Sequence, residues 1–562
     1  MRKVYLLSLF LLLSAAASFA QSIRLTVKLK YKKATGYSLS QPSAFLSEKA
    51  IERRTKQNLL IDSTDLPVNR PYLDSIRNIP GVSILSSSKW LNQVLVETEN
   101  ADAINAINSL TFVAHTRAVA KRNRKRNEVQ LASIYEEKSS STPSIATAVT
   151  ADTINYGSNY QQVHIHEGEF LHNNGFRGQG MTVAILDAGF FKYTTNPAFD
   201  SVRINGQVLG AYDFVNDETS VDEDNVHGAN CFSIMAANRP GQIVGTAPGA
   251  SYWLLRTEDA SSERPIEEHN WIEAAEWADS AGVDMISSSL GYTNFDDPSY
   301  NHSYAQRDGN SVLITIAADM AAKKGILVMN SAGNSGNNSD DTRFIMCPAD
   351  GDSVFTVGAV NNSGVIGGFS SWGPNAAGKV KPNIVSVGAG AIYANINGDP
   401  VAGNGTSYSN PNIAGLVACL WQAFSEFTNM EIIDAVQKSA DRYLNPDDRY
   451  GYGIPNFREA YTILLNKREE RTNSILKGKW ITAFPIPFSQ LFTLFIKAPS
   501  TGTANIRILD ITGRLILEKN MSVQQGMYYN FRMAPPGTQR YGTYFLQYFD
   551  GKNKSVLKLM SL

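Results

Sequence analysis

The stretch GNGTSYSNPNIAGLVACLW, residues Gly403–Trp421, predicts the centre of the fold. It begins as a Gly- and Ser-rich turn and continues as an apolar run. Its apolar side chains recur at offsets of three and four: Ile413, Leu416, Val417 and Leu420. This spacing is that of one face of a helix, and Pro411 suits the first turn of that helix, where a missing N–H costs nothing.

Ser407 stands just before the N-terminus of this predicted helix. Unpaired backbone N–H groups and the positive end of the helix dipole favour a negative oxygen there. A nucleophilic serine needs such a position and also a base that takes its proton. The alternative is a helix cap rich in Ser and Asn, so the rest of the chain has to decide between the two.

Length and composition predict a globular protein of several domains, because 562 residues exceed what one hydrophobic core organises. Hydrophobic residues make up 43% and charged residues 18%, and the net charge of −1 implies no bulk attraction to nucleic acid. The three cysteines, Cys231, Cys347 and Cys419, allow at most one disulfide and match no metal-ligand spacing.

Residues 1–20 have the pattern of a signal peptide. Arg2 and Lys3 form a positive region, Tyr5–Leu13 is apolar apart from one serine, and Ser-Phe-Ala at 18–20 fits the small-x-small cleavage pattern. A membrane anchor is the alternative, but the apolar core is shorter than the about 20 residues that a span needs. We therefore expect an exported mature chain that is soluble or held at the cell surface.

Residues 21–120 are predicted to form a small α+β domain with the ferredoxin-like order β-α-β-β-α-β. Strands are predicted at Ile23–Leu29, Val82–Leu85, Val94–Glu97 and Phe112–His115, and helices at Ser43–Lys56, Pro71–Ile79 and Ala101–Leu110. No set of residues in this domain suggests chemistry.

Residues 121–154 are predicted to be an exposed linker. Five basic residues fall within 121–126, and 139–150 is rich in Ser, Thr and Ala. Exposed segments of this kind are preferred sites of proteolysis. A nucleic-acid or localisation patch is the other interpretation of the basic run, but the neutral charge balance of an exported chain favours a processing site.

Residues 155–466 show the alternation of an α/β domain. Near-continuous apolar runs predict buried strands at Met181–Leu186, Ala250–Leu255, Val283–Ile286, Gly325–Met329 and Val354–Val357. Helical patterns lie between them at Asn230–Ala237, Pro265–Ala281 and Val312–Lys324. Strands buried on both faces and alternating with helices predict a mostly parallel sheet covered by helices.

Functional groups of such sheets gather at the carboxyl ends of the strands. Asp187 is the first residue past a predicted strand, His227 opens a helical stretch, and Asn334 lies in a Gly-rich turn past another strand. Singly, they are explained as a helix cap, a loop residue and a turn former. Together with Ser407 they supply a carboxylate, an imidazole, an amide donor and a hydroxyl.

The order Asp, His, Ser and the motifs around these residues resemble the subtilisin-like serine peptidases, the subtilases. The motifs are VAILDAG with Asp187, VHGANCFS with His227, NSAGNSG with Asn334 and GTSYSNPNIAG with Ser407. SSSLG at 287–291 resembles the strand that pairs with the substrate backbone, and GTAPGA, FSSWGP and YGYGIPNF fit the same framework.

This resemblance implies a subtilisin-like fold and a serine endopeptidase acting on protein or peptide substrates. Asp187, His227 and Ser407 are then the catalytic triad, and Asn334 is an oxyanion donor. The implied substrate-binding residues are Ser289, Leu290, Gly291, Ala332 and Gly333. No cofactor is expected for catalysis. A surface binding or structural protein on an inactive subtilase scaffold is the alternative, which the intact triad disfavours.

Departures from the family pattern leave the substrate preference open. Ala188 stands where Ser or Thr is usual, 229–233 continues the His motif unusually, and Tyr408 is bulkier than the usual residue beside the nucleophile. Cys231 follows His227 by four residues. We expect a buried thiol beneath the triad, with sensitivity to mercurials; a redox role is the alternative.

The resemblance also gives residues 21–120 a function. Subtilases commonly carry a ferredoxin-like inhibitory prodomain that assists folding and is cut off by the enzyme, so the mature chain is expected to begin between Lys121 and Asn155. Subtilases often bind structural calcium, but no calcium site is legible in the sequence. The acidic segments 222–224, 308–310 and 340–341 are interpreted as solvated loops or turns.

Residues 467–478, with the charged run Arg468–Thr472, are predicted to be a linker. Short strands at regular intervals then predict a β-sandwich over 479–562. These strands are Leu491–Ile496, Ala504–Leu509, Arg514–Leu517, Tyr541–Gln547 and Ser555–Leu559.

Three motifs of the last domain resemble the C-terminal sorting domain of type IX secretion in Bacteroidetes: FPIPF at 484–488, ILDITGR at 508–514 and the end LKLMSL. This implies passage through the periplasm and across the outer membrane, with the type IX secretion machinery as a partner. A carbohydrate- or protein-binding sandwich module is the alternative.

Overall fold

The computed structural model of the chain describes residues 23–33, 35–121, 152–222, 225–489, 491–534 and 541–562. The predicted signal peptide and most of the predicted processing linker lie outside these residues, and of the acidic segment 222–224 only Asp222 is described. The chain divides into two compact units, with the boundary between Ala460 and Tyr461. Within the described ranges, no helix combines the length and hydrophobicity needed to cross a membrane.

The first unit begins with a four-stranded antiparallel sheet. Its strands, in spatial order, are Val82–Ser88, Gln93–Thr98, Ile23–Leu29 and Val113–Lys121. Helices Arg70–Arg77 and Ala101–Ser109 supply Ile76, Ala103 and Ile107 to its core. The element order and the strand order confirm the predicted ferredoxin-like domain.

The first helix of this domain is shorter than predicted. It runs over Glu48–Lys56 and follows a 3₁₀ turn at Pro42–Ala44, instead of beginning at Ser43. Ser47 sets its start, because the Ser47 hydroxyl accepts a hydrogen bond from the N–H of Ala50.

A seven-stranded parallel sheet forms the centre of the first unit and confirms the predicted α/β class. Its strands, in spatial order, are Ile384–Val387, Phe355–Val360, Leu327–Ser331, Met285–Ser288, Thr182–Asp187, Ser251–Arg256 and Val208–Asp213. The sequence analysis missed both edge strands. Val208–Asp213 is only half-buried and contains Gly210, and Ile384–Val387 has four residues, so neither produces a long apolar run.

Four helices cover the two faces of this sheet. Pro265–Ala281 and Leu313–Lys323 pack on one face around Trp271. His227–Ala236 and Thr406–Ala423 contact each other and the sheet strands on the other side. The sheet is therefore buried on both faces, which is why the strand Thr182–Asp187 is apolar up to its final residue.

The remaining elements surround this core. The further helices are Tyr160–His164, Glu169–Asn173, Asp200–Ile204 and Asn429–Lys438, with 3₁₀ turns at Pro197–Phe199, Pro298–Tyr300, Tyr304–Gln306 and Asp341–Arg343. The boundary between the two units falls within a further helix, Phe457–Leu476. Ala389–Ala394 pairs with Pro400–Asn404, and Asn238–Arg239 pairs with Ile243–Val244. The charged run Arg468–Thr472, predicted as a linker, is helical because it lies inside Phe457–Leu476.

The ferredoxin-like domain is docked on the helix Pro265–Ala281. Trp90 and Leu91, from the turn between two of its strands, are buried in the same hydrophobic cluster as that helix. The Glu276 carboxylate accepts hydrogen bonds from the N–H groups of Lys89 (2.7 Å) and Trp90 (3.0 Å) and from the hydroxyl of Ser88. Burial raises the pKa of Glu276 to about 7, while the contacts with Ser88 and Lys89 act in the opposite direction.

A second contact holds the end of the same helix. Arg54 is buried and donates to Asp279 at 2.9 Å and to Asp65 at 2.6 Å. Gly282 ends the helix with φ +87°, and a Cβ added there would lie 2.5 Å from Cβ of Lys49. Glycine at this position therefore satisfies both the left-handed helix end and the close approach of the docked domain.

The second unit contains two antiparallel sheets. One consists of Ile481–Phe484, Phe492–Lys497 and Tyr528–Met533; the other consists of Leu515–Val523, Gly502–Asp510, Gly542–Phe549 and Lys554–Ser561. Buried residues of both sheets, among them Leu494, Ile496, Ile506 and Leu546, share one core. This arrangement confirms the predicted all-β sandwich.

The contact of Glu276 with the docked domain generates a prediction. Glu276→Ala leaves the buried N–H groups of Lys89 and Trp90 without their acceptor, at a cost of about 1–3 kcal/mol. Amide exchange in the segment around Trp90 should therefore accelerate by about 10- to 100-fold in hydrogen-exchange mass spectrometry. Glu276→Gln keeps one acceptor oxygen and should give an intermediate rate. Equal protection in all three proteins would contradict the assigned contact.

Candidate active site

Three of the predicted site residues lie at the carboxyl edge of the parallel sheet. Asp187 is the last residue of its strand, paired in register with Arg256, and not the first residue beyond it as expected. Ser289 directly follows the strand Met285–Ser288, and Asn334 follows Leu327–Ser331 after a short turn. The parallel order of these neighbouring strands brings their ends together.

Asp187 and His227 form a buried pair. The distance between Asp187 Oδ1 and His227 Nδ1 is 2.6 Å, and the two side chains are 0% and 3% exposed. Oδ1 also accepts the N–H of Ala188 at 2.8 Å. On the other side, the N–H of His227 donates to Asn225 Oδ1 at 2.8 Å, which fixes the start of the helix His227–Ala236.

The helix with His227 reaches Asp187 only because the next residue is glycine. A Cβ added at Gly228 would lie 2.5 Å from the carbonyl oxygen of Gly189 and 2.9 Å from Cβ of Asp187. Real Cβ atoms are not found this close to a backbone oxygen, so any other residue would push the helix away.

The electrostatics favour a charged imidazole. Burial of His227 disfavours the charged ring, but the charge of Asp187 and the hydrogen bond to it outweigh burial and raise the pKa of His227 well above 6.5. Asp187 thus has two effects on the ring: it holds Nδ1 and it stabilises the imidazolium.

Ser407 lies within the first turn of the helix Thr406–Ala423 and not before it. Pro411 is consequently the sixth residue of the helix, and the expectation that it belongs to the first turn is wrong. A residue four positions after Ser407 would normally donate its N–H to the Ser407 carbonyl oxygen. Proline has no N–H, so this carbonyl is left without its helical donor.

Two side chains from other elements replace that donor. The hydroxyl of Ser289 donates to the Ser407 carbonyl oxygen at 2.9 Å, and the thiol of Cys231 does so at 3.3 Å. In return, the hydroxyl of Ser407 donates to the carbonyl oxygen of Ser289 at 3.2 Å. Ser407 is thereby held against the end of a sheet strand and against the helix of His227.

Cys231 is buried beneath this site, as predicted. Its Sγ lies 4.0 Å from His227 Nδ1, and burial raises the pKa of the thiol. The neutral thiol is the form that can donate to Ser407. All three cysteines are free and buried, so the one disulfide that the count allowed is not formed.

Asn334 has a defined amide orientation. Its Oδ1 accepts the backbone N–H of Thr406 at 2.8 Å and the hydroxyl of Thr406 at 3.0 Å. Because a backbone N–H can only donate, the atom facing it must be the amide oxygen. The NH₂ group of Asn334 is therefore the part of this side chain that is left for a ligand in the adjacent cavity.

Tyr408, the bulky residue beside Ser407, does not enter the cavity. Its side chain is fully buried and stacks on Tyr393 with ring centroids 4.8 Å apart. It lies in a hydrophobic cluster with Cys231 and Ile234 of the helix that carries His227. Its bulk is thus explained by packing beneath the site.

A cavity of about 550 Å³ opens beside Ser407 and Asn334. Of the predicted substrate-binding residues, Ser289 and Gly291 line it, whereas Leu290, Ala332 and Gly333 do not. Leu290 packs into the core. The N–H of Gly333 donates to the hydroxyl of Thr406, and its carbonyl oxygen accepts the N–H of Ser371.

The cavity wall also contains residues that the sequence analysis did not single out. Among them are Thr406, Phe369, Met346, Glu263 and Asp296. Phe369 belongs to FSSWGP and Thr406 to GTSYSNPNIAG, so these two motifs could have identified both residues as part of the site. Glu263 and Asp296 lie in loops outside every motif, so nothing in the sequence distinguished them.

Two groups of described side chains have ligand atoms close enough to hold an ion. In the first, atoms of Asp187, His227 and Cys231 lie within 4.8 Å of one another. An ion bound there would displace the hydrogen bond between Asp187 and His227. The second group consists of three glutamates, of which Glu263 lines the cavity, and is separate from this pair.

These side chains together can catalyse acyl transfer. A hydroxyl at a helix N-terminus, an imidazole oriented by a buried carboxylate, and an amide donor beside the cavity are the groups that attack on a carbonyl requires.

Comparison with known proteins agrees with this chemistry. Residues 178–453 match the model of the subtilase family, and residues 24–133 match that of the peptidase S8 propeptide domain of Bacteroidota. Subtilisin E of Bacillus subtilis (strain 168) is 30% identical over 293 residues, 52% of this chain and 68% of that protein. Subtilisin of Bacillus pumilus is 29% identical over 293 residues, 52% of this chain and 94% of that protein. The serine protease AprX of Bacillus subtilis (strain 168) is 27% identical over 337 residues, 54% of this chain and 70% of that protein.

The close approach at Gly228 generates a prediction. Gly228→Ala should move the helix of His227 away from Asp187, and a displacement of about 1 Å reduces turnover by about 100-fold. The measurement is kcat/KM on a peptide substrate, together with circular dichroism to verify folding. Gly180→Ala is the control for a loss of stability alone: its φ of +83° strains a side chain, but an added Cβ there meets no atom within 4 Å, so kcat/KM should persist. A fully active Gly228→Ala protein would show that the pair does not depend on this approach.

Proposed function

The chain belongs to the subtilase family of serine endopeptidases, and we propose that it is an exported member in which Asp187, His227 and Ser407 form the catalytic triad. The observation that carries the proposal is the buried contact of 2.6 Å between Asp187 and His227. The helix that carries His227 packs beneath Ser407. The match to the subtilase model over residues 178–453 supports it, because that region contains all three residues.

In the proposed reaction, Ser407 Oγ attacks the carbonyl carbon of the substrate. The hydroxyl first turns from the Ser289 carbonyl oxygen toward His227, which takes its proton. His227 then gives this proton to the leaving amine, and water hydrolyses the acyl-enzyme by the same steps in reverse. Asp187 holds the ring through Nδ1, so that Nε2 is the nitrogen available for the proton transfers.

The oxyanion of the tetrahedral intermediate is proposed to bind between two donors. One is the NH₂ group of Asn334, whose oxygen side is fixed by Thr406. The other is the N–H of Ser407, which lies in the first turn of a helix where N–H groups have no intrahelical acceptor. Both donors are in place before the substrate arrives, which is what makes such donors effective.

The N-terminal domain is the propeptide of this protease and its intramolecular inhibitor. We propose that the enzyme cuts its own chain between Lys121 and Asn155, within the basic and Ser/Thr-rich linker. The docking of Trp90 and Glu276 supports a role in folding, because the propeptide completes a hydrophobic cluster of the protease domain.

Export is proposed to use two signals. Residues 1–20 would direct the chain to the periplasm, and the C-terminal sandwich would direct it across the outer membrane by type IX secretion. The support is the signal-peptide pattern, the motifs at 484–488 and 508–514, and the match of the propeptide to a model from Bacteroidota.

The central prediction concerns the nucleophile. Ser407→Ala should abolish peptide hydrolysis and labelling by a fluorophosphonate, because no hydroxyl remains to attack. The variant should also accumulate as an uncut precursor, which N-terminal sequencing and intact mass detect. Ser409→Ala is the matched control: that hydroxyl is buried and donates to the Thr406 carbonyl oxygen, so labelling should persist. Full activity of Ser407→Ala would refute the assignment.

A second prediction concerns pH. Only neutral His227 can accept the proton of Ser407, and the pKa of His227 is raised well above 6.5. We therefore expect kcat/KM to be low below this pKa and to rise with pH through it, with the acidic limb of the profile above pH 6.5. Asp187→Asn removes the negative charge that raises the pKa of His227. The acidic limb should therefore move to lower pH, while turnover falls by about 10⁴-fold. An unmoved limb would mean that another group controls it.

A further inference from the structure

Three neighbouring glutamates, one of which lines the cavity, have no part in the proposed mechanism. Glu258, Glu263 and Glu267, here called the glutamate cluster, place carboxylate oxygens within 4.8 Å of one another. Glu258 follows the strand Ser251–Arg256, and Glu267 is the third residue of the helix Pro265–Ala281. Glu263 lies between them and lines the cavity that also contains Ser407. The cluster thus connects a sheet strand, a loop and a helix.

Glu267 is the member that indicates a ligand. Glu267 is only 1% exposed. Its Oε2 accepts the N–H of Arg264 at 2.7 Å, whereas its Oε1 is buried and has no hydrogen-bond partner among the described residues. A buried carboxylate oxygen without a partner is strongly unfavourable. A cation inside the cluster would remove this cost.

The electrostatics of the cluster are consistent with a cation. Burial raises the pKa of both Glu263 and Glu267, and the neighbouring carboxylate of Glu258 raises both further. The like charges are therefore stable together only when a proton or a cation compensates them.

The ligand atoms and their spacing select the kind of cation. All three ligands are oxygens, which suit hard cations and not zinc or copper. Oxygens on opposite sides of Ca²⁺ lie about 4.6–5.2 Å apart, twice its bond length of about 2.3–2.6 Å, and calcium tolerates irregular geometry, whereas Mg²⁺ demands a smaller, regular octahedron. A basic side chain of a substrate fits less well, because Glu267 Oε1 is buried away from the cavity surface.

We propose that Glu258, Glu263 and Glu267 form a calcium site. The ion would join the end of the strand Ser251–Arg256 to the first turn of the helix Pro265–Ala281 and fix the loop 257–264 between them. Because Glu263 lines the cavity, the ion also sets the position of one wall beside Ser407. The site does not depend on the proposed catalytic roles and is tested without catalysis.

The experiment uses the full chain carrying Ser407→Ala, freed of metal with a chelator. Calorimetric titration with Ca²⁺ should show one saturable site at the cluster. Tb³⁺, a calcium analogue, should luminesce on excitation of tyrosine, since the hydroxyl of Tyr292 donates to Glu258 Oε2 at 2.7 Å; added Ca²⁺ should quench this signal. Glu267→Gln should weaken Ca²⁺ binding by at least about 10-fold, because affinity follows the number of charged ligands.

Two further variants make the result decisive. Glu268→Gln is the matched control: it is the neighbouring residue, pairs with His302 at 2.8 Å outside the cluster, and should leave Ca²⁺ affinity within about threefold of the parent. Glu263→Gln, in the half-buried loop, should weaken binding even if Glu267→Gln fails to fold. Absence of saturable Ca²⁺ binding, or Ca²⁺ affinity in both Glu263→Gln and Glu267→Gln equal to that of the parent, overturns the proposal. If no Ca²⁺ binds, and Glu263→Gln introduced into the chain that retains Ser407 loses cleavage only of Lys- or Arg-containing peptides, the cluster is instead assigned to substrate recognition.

Discussion

The geometry of the site depends on one missing hydrogen bond. Pro411 cannot donate to the carbonyl oxygen of Ser407, so that oxygen accepts from Ser289 and Cys231. A regular helix would have satisfied it internally and left the helix free to shift along the sheet. Here the first turn is tied to a strand end on one side and to the helix of His227 on the other. Ser407 and His227 are therefore positioned by the same contacts.

The second constraint is steric. His227 meets Asp187 at 2.6 Å because Gly228 lets its helix approach the strand end, and Tyr408 and Tyr393 fill the space below. Polar contacts above and aromatic packing beneath hold the same helix. This combination explains how a buried carboxylate can keep an imidazole in one orientation with so few direct contacts.

The sequence predicted those elements whose pattern depends on residues close together in the chain. Pro265 at the first helical position and Gly282 beyond the last gave both ends of that helix, and apolar runs gave the buried strands. Motif order brought Asp187, His227, Asn334 and Ser407 into one site, although their catalytic roles stay predictions. Side-chain direction was not predictable, because it depends on residues distant in sequence: Leu290 turns into the core, and Glu263 faces the cavity from a loop without a motif. The position of Pro411 was misjudged for a related reason, since the start of the helix is set by Gly405 and Asn334.

The position of the docked propeptide in the chain determines when it is synthesised relative to the active site. The chain is synthesised from its N-terminus, so residues 23–121 leave the ribosome before the helix Pro265–Ala281 that receives them, and both precede Ser407. The hydroxyl of Ser407 and its partner Ser289 are 118 residues apart, and Cys231 precedes Ser407 by 176. The propeptide and the helix that receives Trp90 are thus synthesised before Ser407, and only later contacts such as that of the Asn429 N–H with Gln57 (3.1 Å) follow it. The order of the gene itself keeps a competent protease from preceding the domain that restrains it.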